Sequence, residues 1–146
     1  SKAGVKVFLI VRGICCLRPN VKNLSENITV RSIIGRFLEH GRFYVFANGG
    51  KFQSTRNEVF MSSADIMPRN LYTRVEAFVP LQNPTVRSQI LIQVLPALIN
   101  DVQNSWQLNE KGQYIKLSNE KKFCSHSYFM ENPSLSGLGS LSQSIG

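Results

Sequence analysis

Residues 5–11, VKVFLIV, constrain the fold more than any other stretch of the chain. Val5, Val7, Leu9 and Val11 alternate with Lys6, Phe8 and Ile10, so apolar side chains stand on both faces of an extended segment. Such near-continuous apolarity suits an interior strand of a sheet covered on both sides, and that requires a layered α/β architecture. Arg12 and Gly13 end the strand. Open α/β sheets place anion contacts at the C-terminal ends of their strands, and a glycine there lets a ligand approach the backbone. The same arginine is equally readable as an ordinary surface residue.

The second organising stretch is residues 28–48, ITVRSIIGRFLEHGRFYVFAN. Val30, Ile33, Ile34, Phe37 and Leu38 fall at helical spacing, which predicts an amphipathic helix. Phe43, Val45 and Ala47 interleave with Tyr44 and Phe46 and predict a buried strand. His40 lies at the joint, next to Gly41. A histidine at a helix C-terminus meets the negative end of the dipole, which favours its protonated form, and an edge of an α/β layer is where ligands enter. The simpler alternative is a helix-capping histidine with no chemistry.

Elsewhere the elements are shorter. Residues 14–27 break every periodicity and read as a loop long enough to suggest function, and Gly49 and Gly50 mark a polar turn. EVFMS at 58–62 and RVEAFVP at 74–80 read as strands. Between them Ser63, Asp65, Arg69 and Asn70 cluster within eight residues, with Pro68 expected to stop any regular element. That cluster is also readable as a plain turn. Val86, Ile90, Leu91, Val94, Leu95 and Leu98 predict a packing helix over 84–100 whose last turn Pro96 should kink. Residues 101–117 hold Trp106, the only tryptophan, and read as a hairpin or two edge pieces around Glu110, Lys111 and Gly112. His126 sits on a short helical stretch with no neighbouring carboxylate in sequence and is read as structural. The Ser- and Gly-rich residues 133–146 predict a mobile tail after a domain spanning 1–132.

Seventeen Lys and Arg against nine Asp and Glu give a net charge of +8, which points to polyanionic partners. The basic residues are scattered, which favours a charged pocket over a nucleic-acid-binding arm. Cys15, Cys16 and Cys124 match neither a disulfide framework nor a CxxC metal spacing, so free thiols in a reducing, cytoplasmic setting are expected. No apolar run approaches the roughly 20 residues that span a bilayer. The glycine at position 4, directly before a strand, looks like the end of a helix that is missing, so a domain truncated on its N-terminal side is expected.

LIVRGICCLRP at 9–19, RSIIGRFLEHGRFYVFANGG at 31–50 and SADIMPRNLYTRVEAFVP at 63–80 together resemble the C-terminal domain of bacterial-type polyphosphate kinases. The resemblance implies an α/β fold of the phospholipase D-like type, a mixed sheet flanked by helices, as the second half of a two-half catalytic module. It implies an ATP:polyphosphate phosphotransferase acting reversibly through a phosphohistidine on a domain absent from this sequence. His40 would protonate or otherwise stabilise the leaving oxygen, and Arg12 would bind ATP phosphates, the two converging on one anion. The 146 residues alone would then make no polyphosphate, because the nucleophile lies elsewhere.

The wider phospholipase D-like pattern has His, any residue, Lys and a later Asp; here the third position is Arg42 and no Asp follows in the strand. An arginine keeps the charge and adds a fork of donors suited to phosphate, which favours phosphoryl transfer over phosphodiester cleavage. Arg42, Ser63, Asp65 and Arg69 are accessory candidates. No protein metal site is expected; Mg²⁺ would arrive with ATP. The implied partners are ATP, ADP and inorganic polyphosphate, with a homo-oligomer for the intact enzyme, no specific nucleic acid, and a cytoplasmic or membrane-peripheral location. Apolar faces left open by missing domains should promote self-association. Two other readings stand beside this one: a non-catalytic polyanion-binding module and a phospholipase D-like hydrolase half.

Overall fold

The computed structural model describes residues 1–118 and 122–132. The expected tail at 133–146 lies outside the described residues. Those described divide into two compact units, residues 1–39 with 97–132, and residues 40–96.

The first unit carries a mixed four-stranded sheet of β1 (Val7–Ile10), β2 (Ile28–Ile33), β6 (Ser105–Leu108) and β7 (Tyr114–Lys116), in the order β1-β2-β6-β7. β1 runs parallel to β2, with Val7 opposite Ile28. β2 and β6 are antiparallel with Ser32 opposite Trp106, and β6 and β7 form a hairpin with Trp106 opposite Lys116. The Lys116 ammonium lies 5.3 Å from the Trp106 ring centre, a cation–π contact across the hairpin. Asn109 organises the turn, its side-chain oxygen accepting from the amides of Lys111 and Gln113.

Two expectations are corrected here. β1 is an edge strand, and Phe8 remains 41% exposed, so the most apolar segment of the chain is not the most enclosed. The helix expected over residues 30–38 does not form. Residues 28–33 are instead the interior strand β2, and 34–42 contain no helix or strand. Ile28, Thr29, Val30 and Ile33 are β-branched, and such residues lose little in a strand while crowding the turns of a helix. Pairing on both sides of β2 then buries Val30 and Ile33. The apolar positions that completed the helical pattern, Ile34, Phe37 and Leu38, are exposed.

A buried polar knot closes the base of this unit. Asp101 is fully buried. Its Oδ1 accepts the Asn104 amide at 2.8 Å, and its Oδ2 accepts the Ser125 amide at 2.9 Å and the Ser125 hydroxyl at 2.6 Å. Ser105 Oγ donates to the Asp101 carbonyl at 2.5 Å. One carboxylate thereby ties the end of α3 (Leu95–Asn100) to the starts of β6 and of α4 (Ser125–Glu131).

The second unit carries an antiparallel sheet in the order β3 (Phe43–Phe46), β4 (Glu58–Ser62), β5 (Phe78–Pro80). β4 appears as expected; β5 begins later than expected, because Ser62, the last residue of β4, pairs with Phe78. The strands expected to share one sheet thus belong to two. Val59, Ile90 and Leu91 form the core, with Phe43, Val45, Leu81, Val94 and Leu95 packed around them. Full burial of each central side chain contributes about 1.5–3 kcal/mol.

The helical segment after β5 follows from local chemistry. Asn83 accepts the amides of Thr85 and Val86 as N-cap, and Pro84 opens α2 (Pro84–Gln89). A π-helical segment, Ile90–Val94, then leads into α3, and the Leu95 amide reaches back to the Ile90 carbonyl. Pro96 lacks an N–H for the Ile92 carbonyl and would clash with it in a regular helix, so the widened turn absorbs the kink. Pro68 behaves differently from expectation: it opens the short helix α1 (Pro68–Thr73) instead of stopping a regular element.

Candidate functional site

At one end of the second unit's sheet, the residues just outside the strands gather polar groups. The Ser62 amide donates to the Arg42 carbonyl at 3.0 Å, and the Ser63 amide to the Ala77 carbonyl at 3.0 Å. These bonds extend the sheet by one residue and bring positions 42, 63 and 77 to a common end.

Arg42 is the hub. Its Nε donates to Asp65 Oδ1 at 3.0 Å, and its Nη1 donates to the His40 carbonyl at 3.0 Å and lies 3.4 Å from His40 Nδ1. A guanidinium has no acceptor, so the contact suits the neutral tautomer that accepts at Nδ1 and carries its proton on Nε2. His40 itself is exposed. A neutral imidazole whose remaining N–H is unused by Arg42 can donate to a developing oxyanion. His40 is not at a helix end, so the helix-dipole argument for its protonation falls away.

A second cluster adjoins the first. Ser63 Oγ donates to Glu76 Oε2, Asn70 Nδ2 donates to Glu76 Oε1 at 2.8 Å, and the Ala77 amide donates to Ser63 Oγ at 3.0 Å. The Ser63 hydroxyl and then the Asn70 amide hold the Glu76 carboxyl below its ordinary range, and the charges of Arg74 and Arg42 add to this. Burial pushes the Tyr44 hydroxyl up, with Arg42 opposing and Asp65 reinforcing. Arg42 thus acts on Asp65 by a hydrogen bond and on Glu76 through its charge.

The structure therefore links His40, Arg42 and Asp65 directly, and joins Ser63 to Glu76 and Asn70. Arg69 is exposed on α1, beside Asn70 in sequence. Arg12 belongs to the first unit, where its Nη1 donates to the Glu39 carbonyl at 3.1 Å. Glu76 was missed by sequence reasoning, being a single acidic residue inside an apparent strand. Its one signal was an acid flanked by Val75 and Ala77 in a basic chain. Also missed was the carboxylate partner of His126: Glu39 Oε1 lies 2.6 Å from His126 Nε2.

Among the described residues no group of three or more His, Cys, Asp and Glu side chains is placed to hold a metal ion. Asp65 and Glu76 are both engaged by donors from the protein, Arg42 for the first and Ser63 and Asn70 for the second. The set does not fit a metal cage. No described helix is long and apolar enough to cross a membrane.

A family model described as polyphosphate kinase C-terminal domain 2 matches residues 1–127. The chain belongs to that family. A polyphosphate kinase of Erythrobacter litoralis is 55% identical over 140 residues, covering 95% of this chain and 20% of the relative. One from Helicobacter pylori is 48% identical over 119 residues, covering 82% of this chain and 16% of the relative. The crystal structure of the polyphosphate kinase from Porphyromonas gingivalis matches with a TM-score of 0.80 at 38% identity, over 90% of this chain and 20% of that one. The chain thus spans about a fifth of the length of these relatives. The α/β fold expected from the polyphosphate kinase resemblance, of the phospholipase D-like type, is the one found.

Proposed function

We propose that this polyphosphate kinase C-terminal domain serves an ATP:polyphosphate phosphotransferase by stabilising the charge that leaves during phosphoryl transfer. The observation that carries the reading is the Arg42 fork: it engages His40 Nδ1 and the His40 carbonyl while Asp65 fixes it from behind. His40 is thereby left with an Nε2–H, a donor suited to the oxygen that departs from, or accepts, a phosphoryl group. Arg42 supplies positive charge beside it, and Ser63, whose one hydroxyl proton goes to Glu76, helps to hold the same sheet end in place. Arg12 is a ligand for ATP phosphates in this reading, and Arg69 an accessory charge. Phosphoryl transfer by way of a histidine needs a nucleophile as well, and the family resemblance puts that histidine outside these 146 residues.

Mg²⁺ accompanies the nucleotide in this reading. Substrates are ATP or ADP and inorganic polyphosphate, and the intact enzyme is a homo-oligomer at a cytoplasmic or membrane-peripheral site. Nothing in the geometry favours a phosphodiesterase or an indiscriminate polyanion binder over this reading.

The test is turnover. In a full-length kinase carrying this domain, His40→Ala should lower kcat by about 10² to 10⁴, the span of a general acid or of a charge-stabilising donor. A polypeptide of these 146 residues alone should make no polyphosphate. Undiminished turnover without the His40 imidazole, or robust synthesis by the 146 residues, would refute the assignment.

A further inference from the structure

We propose that His126 is a positioning residue for His40 and acts through Glu39; the inference rests on the functional reading of His40 given above. His126 is 2% exposed and lies 87 residues from Glu39 in sequence. Both ring nitrogens are engaged by the short segment that precedes His40. The Phe37 amide donates to Nδ1 at 3.3 Å. Nδ1 is therefore an acceptor, the ring proton is on Nε2, and that N–H donates to the Glu39 carboxylate at 2.6 Å. The ring also tilts against Phe37, with centroids 5.4 Å apart.

Residues 34–39 form neither helix nor strand; the Ile34 amide still donates to the Asn104 carbonyl at 2.9 Å, carrying the β2–β6 pairing one residue further. Beyond Ile34 the segment is held by side chains. His126 engages the segment at Phe37 and at the Glu39 carboxylate, and Arg12 donates to the Glu39 carbonyl. Gly35 completes the fit, because a Cβ there would stand 2.6 Å from His126 Nδ1. The Glu39 carbonyl belongs to the peptide that links it to His40, so fixing Glu39 by both its side chain and its carbonyl fixes the φ/ψ frame from which His40 departs. A histidine that merely filled a core would not need both nitrogens matched to residues two positions apart on that segment. The chemical requirement is plain: a misplacement of about 1 Å at a reacting group can cost on the order of 10²-fold in rate.

The experiment compares His126→Ala, His126→Gln, Glu39→Ala and Glu39→Gln with His40→Ala in a full-length kinase carrying this domain. Gln at 126 offers an amide N–H near the Nε2 position, and Gln at 39 keeps an acceptor for it. Both alanine variants should lower kcat by about 10- to 100-fold with little change in the KM for ATP. Each glutamine variant should recover most of that loss. In parallel, amide hydrogen exchange on the 146-residue chain should show Phe37 protected in the wild type and unprotected in His126→Ala. Where His126→Ala does not fold, Glu39→Ala decides, since Glu39 is partly exposed and its removal breaks the same link. Wild-type kcat in Glu39→Ala, or a loss confined to KM, overturns the inference while an inactive His40→Ala leaves the functional reading intact. An active His40→Ala overturns that reading and this inference with it.

Discussion

Replacing Asp101 by asparagine tests whether the buried carboxylate holds the first unit together. The two side chains have nearly the same shape, so packing is preserved and hydrogen-bond polarity alone changes. Asp101 Oδ1 faces the Asn104 amide, and Oδ2 faces the Ser125 amide and hydroxyl. An asparagine must present its NH₂ to one side. Turned toward Asn104, it orphans that backbone N–H; turned toward Ser125, it can still donate to the hydroxyl oxygen but orphans the Ser125 N–H. Either way one charge-assisted bond is lost, worth about 1.5–3 kcal/mol, and one buried donor stays unpaired at a penalty of about 1–3 kcal/mol. These overlap, so a destabilisation of about 2–4 kcal/mol is expected. Asp101→Ala, which orphans both amides, should exceed it. The assay is urea unfolding of the 146-residue chain followed through Trp106, which lies in the same unit. An Asp101→Asn midpoint that corresponds to less than about 0.5 kcal/mol, the range of an inconsequential surface change, would refute the reasoning.

Gly35→Ala should destabilise the same unit by about 1–3 kcal/mol, the usual cost of overpacking, because the new methyl meets the buried His126 ring and the Asn104 amide group at 3.0 Å; thermal unfolding reads it, and a neutral result would mean the loop shifts freely. Glu76 supplies a pH dependence. Its folded-state value is depressed, chiefly by Ser63, so its contribution to stability is present above the ordinary glutamate range and is lost as pH falls through the lower folded value. A carboxyl-carbon NMR titration should show Glu76 protonating below the ordinary range in the wild type, and Ser63→Ala should move it upward; an unchanged titration would remove Ser63 as the cause.

Much of this protein was legible from residues alone wherever the signal was local. The β3 and β4 strands, the start and Pro96 irregularity of the 84–100 helical segment, and the hairpin around Gly112 rest on alternation, proline geometry and turn residues within a few positions of each other. The quoted motifs also sufficed to place the chain in its family. Arg42 was identifiable as a cation two residues after His40, the spacing that lets its fork reach back to that ring and carbonyl. What the sequence left ambiguous was decided by partners distant along the chain. Residues 28–33 carry both a helical spacing and four β-branched side chains, and pairing with β1 on one side and β6 on the other settled the matter in favour of strand. Glu76 became part of the candidate site because β5 pairs with β4 and brings it to Ser63. His126 found Glu39 across 87 residues. Periodicity encodes which face of a segment is apolar, but not which neighbour satisfies its hydrogen bonds, and a lone charged residue has no periodicity at all. Those choices belong to the tertiary structure, where the cost of leaving a buried donor or acceptor unpaired selects the partner.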